Sequence, residues 1–368
     1  MSRNAFRSRF PAATVTAGAA VLAMVGGGLA TPAYAATTRY TLTIGPAGTQ
    51  SYLGINDNGD IIGDGFEPTA EVSGEGFVIK AGTNTPQFLT TADNPGNTQQ
   101  FTAPHAINNA GVVVGFRQPP GATVPELDRP MKWQTPGNGV DLGVDQSPTS
   151  DVEATGINDN GLIAGKTLTF DDKTTAWTLN GSIFTRLPNL PGTGNSARTD
   201  AVNKNGLVVG SATTPTTFPA VEWVNGQIKV LGTLPGGTFA EAKAVNSAGV
   251  AVGVSTTTGG MEFGVGHAVR FAGGTVTDLH FPGTDTNSGS ANGINDAGTI
   301  IGSVSGLGAF VYQNRVATDL NTLIPANSGF SIAGVNAINN KGQIVGEAFK
   351  NGTSHRTTFA VLLTPTGQ

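Results

Sequence analysis

The 368 residues include no cysteine. That excludes a disulfide framework, a thiolate metal site and a cysteine nucleophile. Charge is scarce as well. Asp, Glu, Lys and Arg together make up 12% of the chain, about half the usual share, and the net charge is −5 without any basic run. Electrostatics therefore gives no support to nucleic-acid binding. No segment shows a sustained apolar stripe at helical spacing. The four histidines (His105, His267, His280, His355) occupy unrelated repeat positions without ligand spacing, so neither a metal nor a cofactor is expected. No serine sits in a G-x-S-x-G elbow. What is abundant is glycine, 53 residues, alongside 38% hydrophobics. That is too apolar for a disordered chain and suits many short strands joined by tight turns.

Residues 1–35 read as a secretory signal. Arg3, Arg7 and Arg9 form a basic start, Ala12–Ala30 is a small and apolar stretch, and Ala33-Tyr34-Ala35 is an A-x-A cleavage site. Removal leaves 17 basic and 25 acidic residues, a charge of −8. No later stretch is long and apolar enough to span a bilayer. A secreted, extracellular protein without a membrane span is expected, and a monomer.

The remainder is organised by one pattern: an apolar β-branched residue, Asn, two variable residues, Gly, three mostly apolar residues, Gly. It runs from Ile55 to Gly63 and recurs at Ile107–Gly115, Ile157–Gly165, Val202–Gly210, Val245–Gly253, Ile294–Gly302 and Ile338–Gly346. The asparagines Asn56, Asn108, Asn158, Asn203, Asn246, Asn295 and Asn339 are spaced 52, 50, 45, 43, 49 and 44 residues apart. A period near 47 means a propeller or a helical solenoid, and β-branched and aromatic enrichment selects the propeller.

Four strands fit each period. The first ends at Ile/Val-Asn. Asn-x-x-Gly is a hairpin in which Asn bonds the backbone ahead and Gly supplies a positive φ. The second strand runs from Gly to Gly. The third carries a large apolar end, as in Met131-Lys132-Trp133 or Val221-Glu222-Trp223, and the fourth follows a turn such as Asn225-Gly226. The seventh repeat supplies only three strands. Arg39–Pro46 has the layout of a fourth strand and no blade of its own. The expected fold is therefore all-β: a seven-bladed β-propeller of four-stranded blades over residues 36–368. Repeats start near 51, 102, 152, 198, 240, 290 and 333, and the N-terminal strand completes the last blade.

The repeat resembles the extracellular repeat of the HAF family. The residues that carry the likeness are Gly266-His267-Ala268-Val269-Arg270-Phe271, Thr277-Asp278-Leu279, and Ala291-Asn292-Gly293-Ile294-Asn295 through Gly298 to Gly302. The I-N-x-x-G-x-x-x-G part is specific through repetition, whereas the H-A-F part is degenerate. The resemblance implies an exported propeller-like repeat protein and carries no catalytic residue.

Chemistry is sought where the sequence stops repeating. Two residues before each Ile/Val stand Leu53, His105, Thr155, Asp200, Lys243, Asn292 and Asn336. Four before stand Ser51, Ala103, Glu153, Arg198, Glu241, Ser290 and Gly334. By the period of two both sets share a strand face, near the channel mouth opposite the hairpins. The candidate ligand-binding residues are His105, Glu153, Thr155, Arg198, Asp200, Glu241, Lys243, Asn292 and Asn336, with the charged ones clustered on three consecutive blades. No catalytic residue is expected. Long insertions at Asp64–Gly74, Arg117–Arg129 and Ser255–Gly266 open on the same face, where Met261, Glu262 and Phe263 could overhang the channel. The Asn56–Asp60 turn is spaced loosely like a calcium loop but reads as a hairpin. The three tryptophans read as core.

Three functions fit. The first is a binding propeller recognising a glycan, a small molecule or a surface protein through the channel mouth. The others are a polysaccharide hydrolase or lyase using Glu153, Asp200 or Glu241, and a structural envelope protein without a discrete ligand.

Overall fold

The computed structural model describes residues 38–366 apart from 66–74, 92–100, 119–127, 135–138, 146–149, 170, 172, 193–195, 260–264, 280, 282–287, 307 and 353–356. Residues 1–35, expected to be a secretory signal, together with Met261, Glu262 and Phe263, His280 and His355, and much of the three insertions, lie outside the described residues.

Seven four-stranded antiparallel sheets make seven blades. Blade 1 consists of Thr49–Ile55, Ile61–Gly65, Glu75–Ile79 and Gln87–Phe88, hydrogen-bonded in that order, and blades 2 to 6 repeat it. The first strands are Thr49–Ile55, Thr102–Ile107, Ser150–Ile157, Ala197–Val202, Ala240–Val245, Gly289–Ile294 and Phe330–Ile338. Each touches the first strand of the next blade, and the seventh touches the first, which closes the inner ring. Blade 7 is completed from the other end of the chain: Arg39–Ile44 pairs with Thr358–Thr366, Arg39 opposite Thr366 and Ile44 opposite Val361. The closing strand is anchored by Tyr40, which is 2% exposed within the core between blades 6 and 7. Its backbone N–H donates to Leu323 O at 3.0 Å, and burial pushes its phenol up to about 12. No helix among the described residues is long and apolar enough to cross a membrane.

The apolar cores lie between blades rather than within them. This explains why the second strands read as unbroken apolar runs, since both faces are covered. Val208 packs toward blade 3 with Trp177's neighbours Ala164 and Ala176, while Val209 packs toward blade 5 with Ala242, Ala251 and Val269. Ile61 and Ile62 divide in the same way. Trp133, Trp177 and Trp223 are fully buried core residues. The indoles of Trp133 and Trp223 donate to Thr90 O and Pro188 O, both at 2.9 Å.

Each hairpin has the expected turn. The Gly N–H donates to the Asn carbonyl, as for Gly206 and Asn203 at 3.0 Å, and Gly206 has φ 83°. The Asn side chain does more than shape its own turn. In blade 4 the Oδ1 of Asn203 accepts from Asn205 N and Leu207 N, both at 3.0 Å. Its Nδ2 donates to Asn246 O in the next blade at 2.8 Å. All seven asparagines make this inter-blade bond: Asn56 to Asn108 O, Asn108 to Asn158 O, Asn158 to Asn203 O, Asn246 to Asn295 O, Asn295 to Asn339 O, and Asn339 back to Asn56 O at 3.0 Å. The result is a closed belt of buried amides, each 3–6% exposed.

Two outcomes check this architecture. Deleting Arg39–Ile44 exposes the edge of blade 7 and the core that Tyr40 covers, so the truncated protein should aggregate or lose cooperative thermal unfolding. Asn203→Ala leaves Asn205 N and Leu207 N without partners and takes from Asn246 O the donor that joins it to blade 4. It should lower stability in denaturant titration by about 3 kcal/mol, on the scale of roughly 1–3 kcal/mol for each buried group left unpaired.

Candidate functional site

The central channel has two unlike ends. At the hairpin end the residue after each repeated Asn lines a cavity of about 340 Å³. These residues are Asp57, Asn109, Asp159, Lys204, Ser247, Asp296 and Asn340. Most of their polar atoms serve one another. Backbone N–H groups donate to the side chain of the next blade at five of seven steps, from Asp57 to Asn109, Asn109 to Asp159, Ser247 to Asp296, Asp296 to Asn340 and Asn340 to Asp57, at 2.8–2.9 Å. The carboxylate of Asp60 accepts from Lys80 Nζ and Ala81 N, each at 2.9 Å. The Asn56–Asp60 turn thus spends its oxygens on the fold.

At the other end every first strand carries a β-bulge. The extra residue is Leu53, His105, Thr155, Asp200, Lys243, Asn292 or Asn336, the non-repeating position two before the Ile/Val. A bulge leaves its residue out of the ladder and re-aims the side chain. It also explains the second repeated glycine. A Cβ on Gly210 would stand 2.0 Å from Arg198 O, and one on Gly253 1.9 Å from Glu241 O. Only glycine lets the bulged strand come so near.

Four of the nine candidate residues use their new aim to join blades. His105 Nδ1 lies 3.1 Å from Ala154 O, and the Thr155 hydroxyl 2.8 Å from that of Thr199. Asn292 Nδ2 donates to Val335 O at 2.9 Å, and Asn336 Nδ2 to Tyr52 O at 2.9 Å and Ser51 Oγ at 3.2 Å. This second belt is interrupted at Leu53, Asp200 and Lys243.

The interruption is where the charges gather. Arg198 donates to Glu241 Oε1 at 2.5 Å and to Ser211 Oγ at 3.1 Å. Glu153 lies 3.2 Å from Lys166 Nζ and 3.9 Å from His105 Nδ1. Burial holds His105 below its usual range, with Glu153 opposing. Asp200 is pushed up to about 8, first by burial and then by Glu241, against the pull of Arg198, Lys166 and Lys243. Its Oδ2 is enclosed without a hydrogen-bond partner. At neutral pH this carboxyl is protonated. The structure therefore brings Arg198, Asp200, Glu241 and Lys243 into one group, joined to Glu153 through Lys166.

Sequence reasoning passed over the partners across the ladder. The residue after each second Gly pairs with the residue four before the Ile/Val: Asp64 with Ser51, Lys166 with Glu153, Ser211 with Arg198, Ser303 with Ser290, Glu347 with Gly334. The same signal, variation beside an invariant glycine, marks them. Burial raises Asp64 and Glu347, and Asp64 adds to the shift of Glu347. Asp128, at the start of a third strand, is pushed up to about 7 by burial and then by Asp151 and Glu153.

Beside the charge group lies a cavity of about 680 Å³ over blade 6. Glu241, Lys243 and Val254 of blade 5 form one wall, Ile332, Ala333 and Asn321 another, and Ser288, Gly289, Ser290, Ser303 and Ser305 the floor. It exists because blade 6 carries serines where blades 3, 4 and 7 carry Lys166, Arg198 and Glu347.

No protein-family model matches the chain, and no curated protein matches it. Solved structures do. A YCF48 structure bound to a D1 peptide aligns over 91% of this chain and 97% of its own, with 9% identity and a TM-score of 0.51. One of two prolyl endopeptidases aligns over 85% of this chain at 9% identity and a TM-score of 0.53. A puromycin-hydrolyzing peptidase of Mycobacterium tuberculosis aligns over 82% at 11% identity and a TM-score of 0.50. The chain spans about half the length of these two peptidases, 48% and 49%. At such identities the likeness establishes the β-propeller fold.

The raised pKa of Asp200 has a defined consequence for stability. A carboxyl whose folded pKa lies above its unfolded value contributes fully only below the unfolded pKa, so this contribution is lost as pH rises from about 4 to about 8. Asp200→Asn removes that slope and supplies an amide where Asn292 and Asn336 reach the next blade. Thermal unfolding across this range should show the variant more stable at pH 8, by on the order of 2 kcal/mol, with the difference shrinking toward pH 4.

Proposed function

We propose that this chain is an exported binding propeller that takes a glycan, a small molecule or a surface protein at the channel mouth opposite the Asn-x-x-Gly hairpins. One observation carries the reading. The two ends of the same seven strands differ in kind: the hairpin end is a repeated belt whose polar groups satisfy one another, whereas the other end presents a non-repeating set on re-aimed bulges beside an open cavity. Groups held in a defined place without intramolecular partners are what a binding site requires. The resemblance to the HAF extracellular repeat and the N-terminal signal support export. The peptide bound by the YCF48 propeller makes a protein ligand a natural class to include in a screen.

A hydrolase or lyase reading has one observation in its favour. Asp200 holds a proton at neutral pH near Glu241, an arrangement that acid catalysis exploits. Its enclosed Oδ2 and the tie between Glu241 and Arg198 weigh toward binding.

The test is a glycan and peptide array read together with thermal shift, using the wild type, Ser290→Tyr to block the mouth, and Asn160→Ala at the exposed hairpin end. A ligand should be retained by Asn160→Ala and lost by Ser290→Tyr. Equal binding by all three proteins would place recognition elsewhere, and turnover of an array glycan abolished by Asp200→Asn would establish the enzymatic reading instead.

A further inference from the structure

Lys243 stands apart from the other cations of the mouth. Lys166 pairs with Glu153 and Arg198 with Glu241. Lys243 is half-buried, lines the cavity over blade 6, and makes no hydrogen bond or ion pair among the described residues. Its neighbour Glu241 has one carboxylate oxygen committed to Arg198. Its other neighbour, Asp200, is uncharged at neutral pH. The group formed by Arg198, Asp200, Glu241 and Lys243 therefore carries one surplus positive charge, and the ammonium that bears it faces an open space. A partly desolvated ammonium without a counter-charge is costly unless an anion reaches it.

The rest of the cavity specifies what accompanies that anion. The hydroxyls of Ser288, Ser303 and Ser305 make no hydrogen bond among the described residues, and that of Ser290 reaches only Ala291 O at 3.5 Å. Each can both donate and accept, which matches alcohols. The ladder of blade 6 is fully paired at this point, Ser290 opposite Ser303 and Gly289 opposite Val304, so no free strand edge is offered to a peptide backbone. Among the described residues the apolar lining is confined to small aliphatic groups such as Val254, Val304 and Ile332. The volume suits a small oligomer rather than a lone ion.

Resting on the binding reading above, we infer that the cavity over blade 6 receives an acidic sugar, its carboxylate against Lys243 and its hydroxyls against the serine floor. Among the described residues no aromatic ring lines the cavity, so the hold is polar and should weaken with salt. Ionisation of Asp200 adds a negative charge within reach of Lys243. The charges that act on Asp200 are Glu241, Arg198, Lys166 and Lys243. Binding should therefore fall as pH rises through about 8 in the wild type and stay level there in Asp200→Asn.

Calorimetric titration with a galacturonic acid trimer, a neutral galactose trimer and a glutamate trimer tests the inference. The acidic sugar should bind the wild type, with affinity reduced about tenfold or more in Lys243→Gln, partly restored in Lys243→Arg, and unchanged in Lys204→Gln at the hairpin end. The neutral sugar should bind weakly to all four proteins. Equal affinity for the acidic and neutral sugars, an undiminished affinity in Lys243→Gln, or tighter binding of the glutamate trimer would each overturn it. If the acidic sugar fails while the array finds another ligand that Ser290→Tyr excludes, the sugar assignment falls and the binding reading stands. If both fail, both fall.

Discussion

The bond from each repeated asparagine to the next asparagine's carbonyl is the constraint on which the rest of the molecule depends. One amide performs two tasks that a turn residue rarely combines. Its oxygen gathers the N–H groups of its own hairpin, and its nitrogen joins that hairpin to the neighbouring blade. Asp would lose the donor, Ser the reach, and Gln would not fit the turn. Seven such bonds set the angle between blades at the hairpin end and close on themselves through Asn339 and Asn56. Without cysteine, this belt and the pairing of Arg39–Ile44 with Thr358–Thr366 take the place of covalent closure.

The belt also decides where the polar residues that differ from blade to blade can lie. With the hairpin end committed to holding the ring together, variation is tolerated at the opposite end of the same strands. There the bulge lifts one residue per blade out of the ladder. Where that residue can donate to the next blade, as His105, Asn292 and Asn336 do, it becomes a second fastening. Where it makes no such bond, at Asp200 and Lys243, charge accumulates and polar groups stay open. The candidate site is thus an interruption in a structural series, and its off-centre position follows from two adjacent blades sharing the interruption. The serine floor of blade 6 adds the space that larger residues occupy elsewhere around the ring.

Much of this was legible from residue order. Asn-x-x-Gly at a period near 47 specifies hairpin, blade and blade count, because turn chemistry and hydrophobic pattern are local and each copy repeats the evidence. The strand Arg39–Ile44 was recognisable as the missing member of blade 7 for the same reason. The charged candidates Arg198, Asp200, Glu241 and Lys243 were found by asking where the repeat fails. Their partner Lys166 was not, nor were Ser303 and Glu347, although they too vary beside an invariant glycine. A residue's cross-strand neighbour depends on register, and the bulge alters register by one. The bulge leaves no local signature beyond a glycine ten residues later, whose purpose, admitting the carbonyl of the preceding strand, is visible only in three dimensions.

The sequence by itself determined the fold class, the seven blades, the hairpins and the face on which variation lies, since these follow from periodicity and from the backbone preferences of Asn and Gly. Only the tertiary structure decided what each polar side chain is for. His105, Thr155, Asn292 and Asn336 have the same standing as Lys243 when read along the chain, yet they fasten blades while Lys243 faces an open cavity. Asp200 likewise holds its proton first because the ring encloses it and then because of Glu241, more than 40 residues away. Hydrogen-bond partners and desolvation are properties of the neighbours that folding brings together, and no single repeat contains its own neighbours.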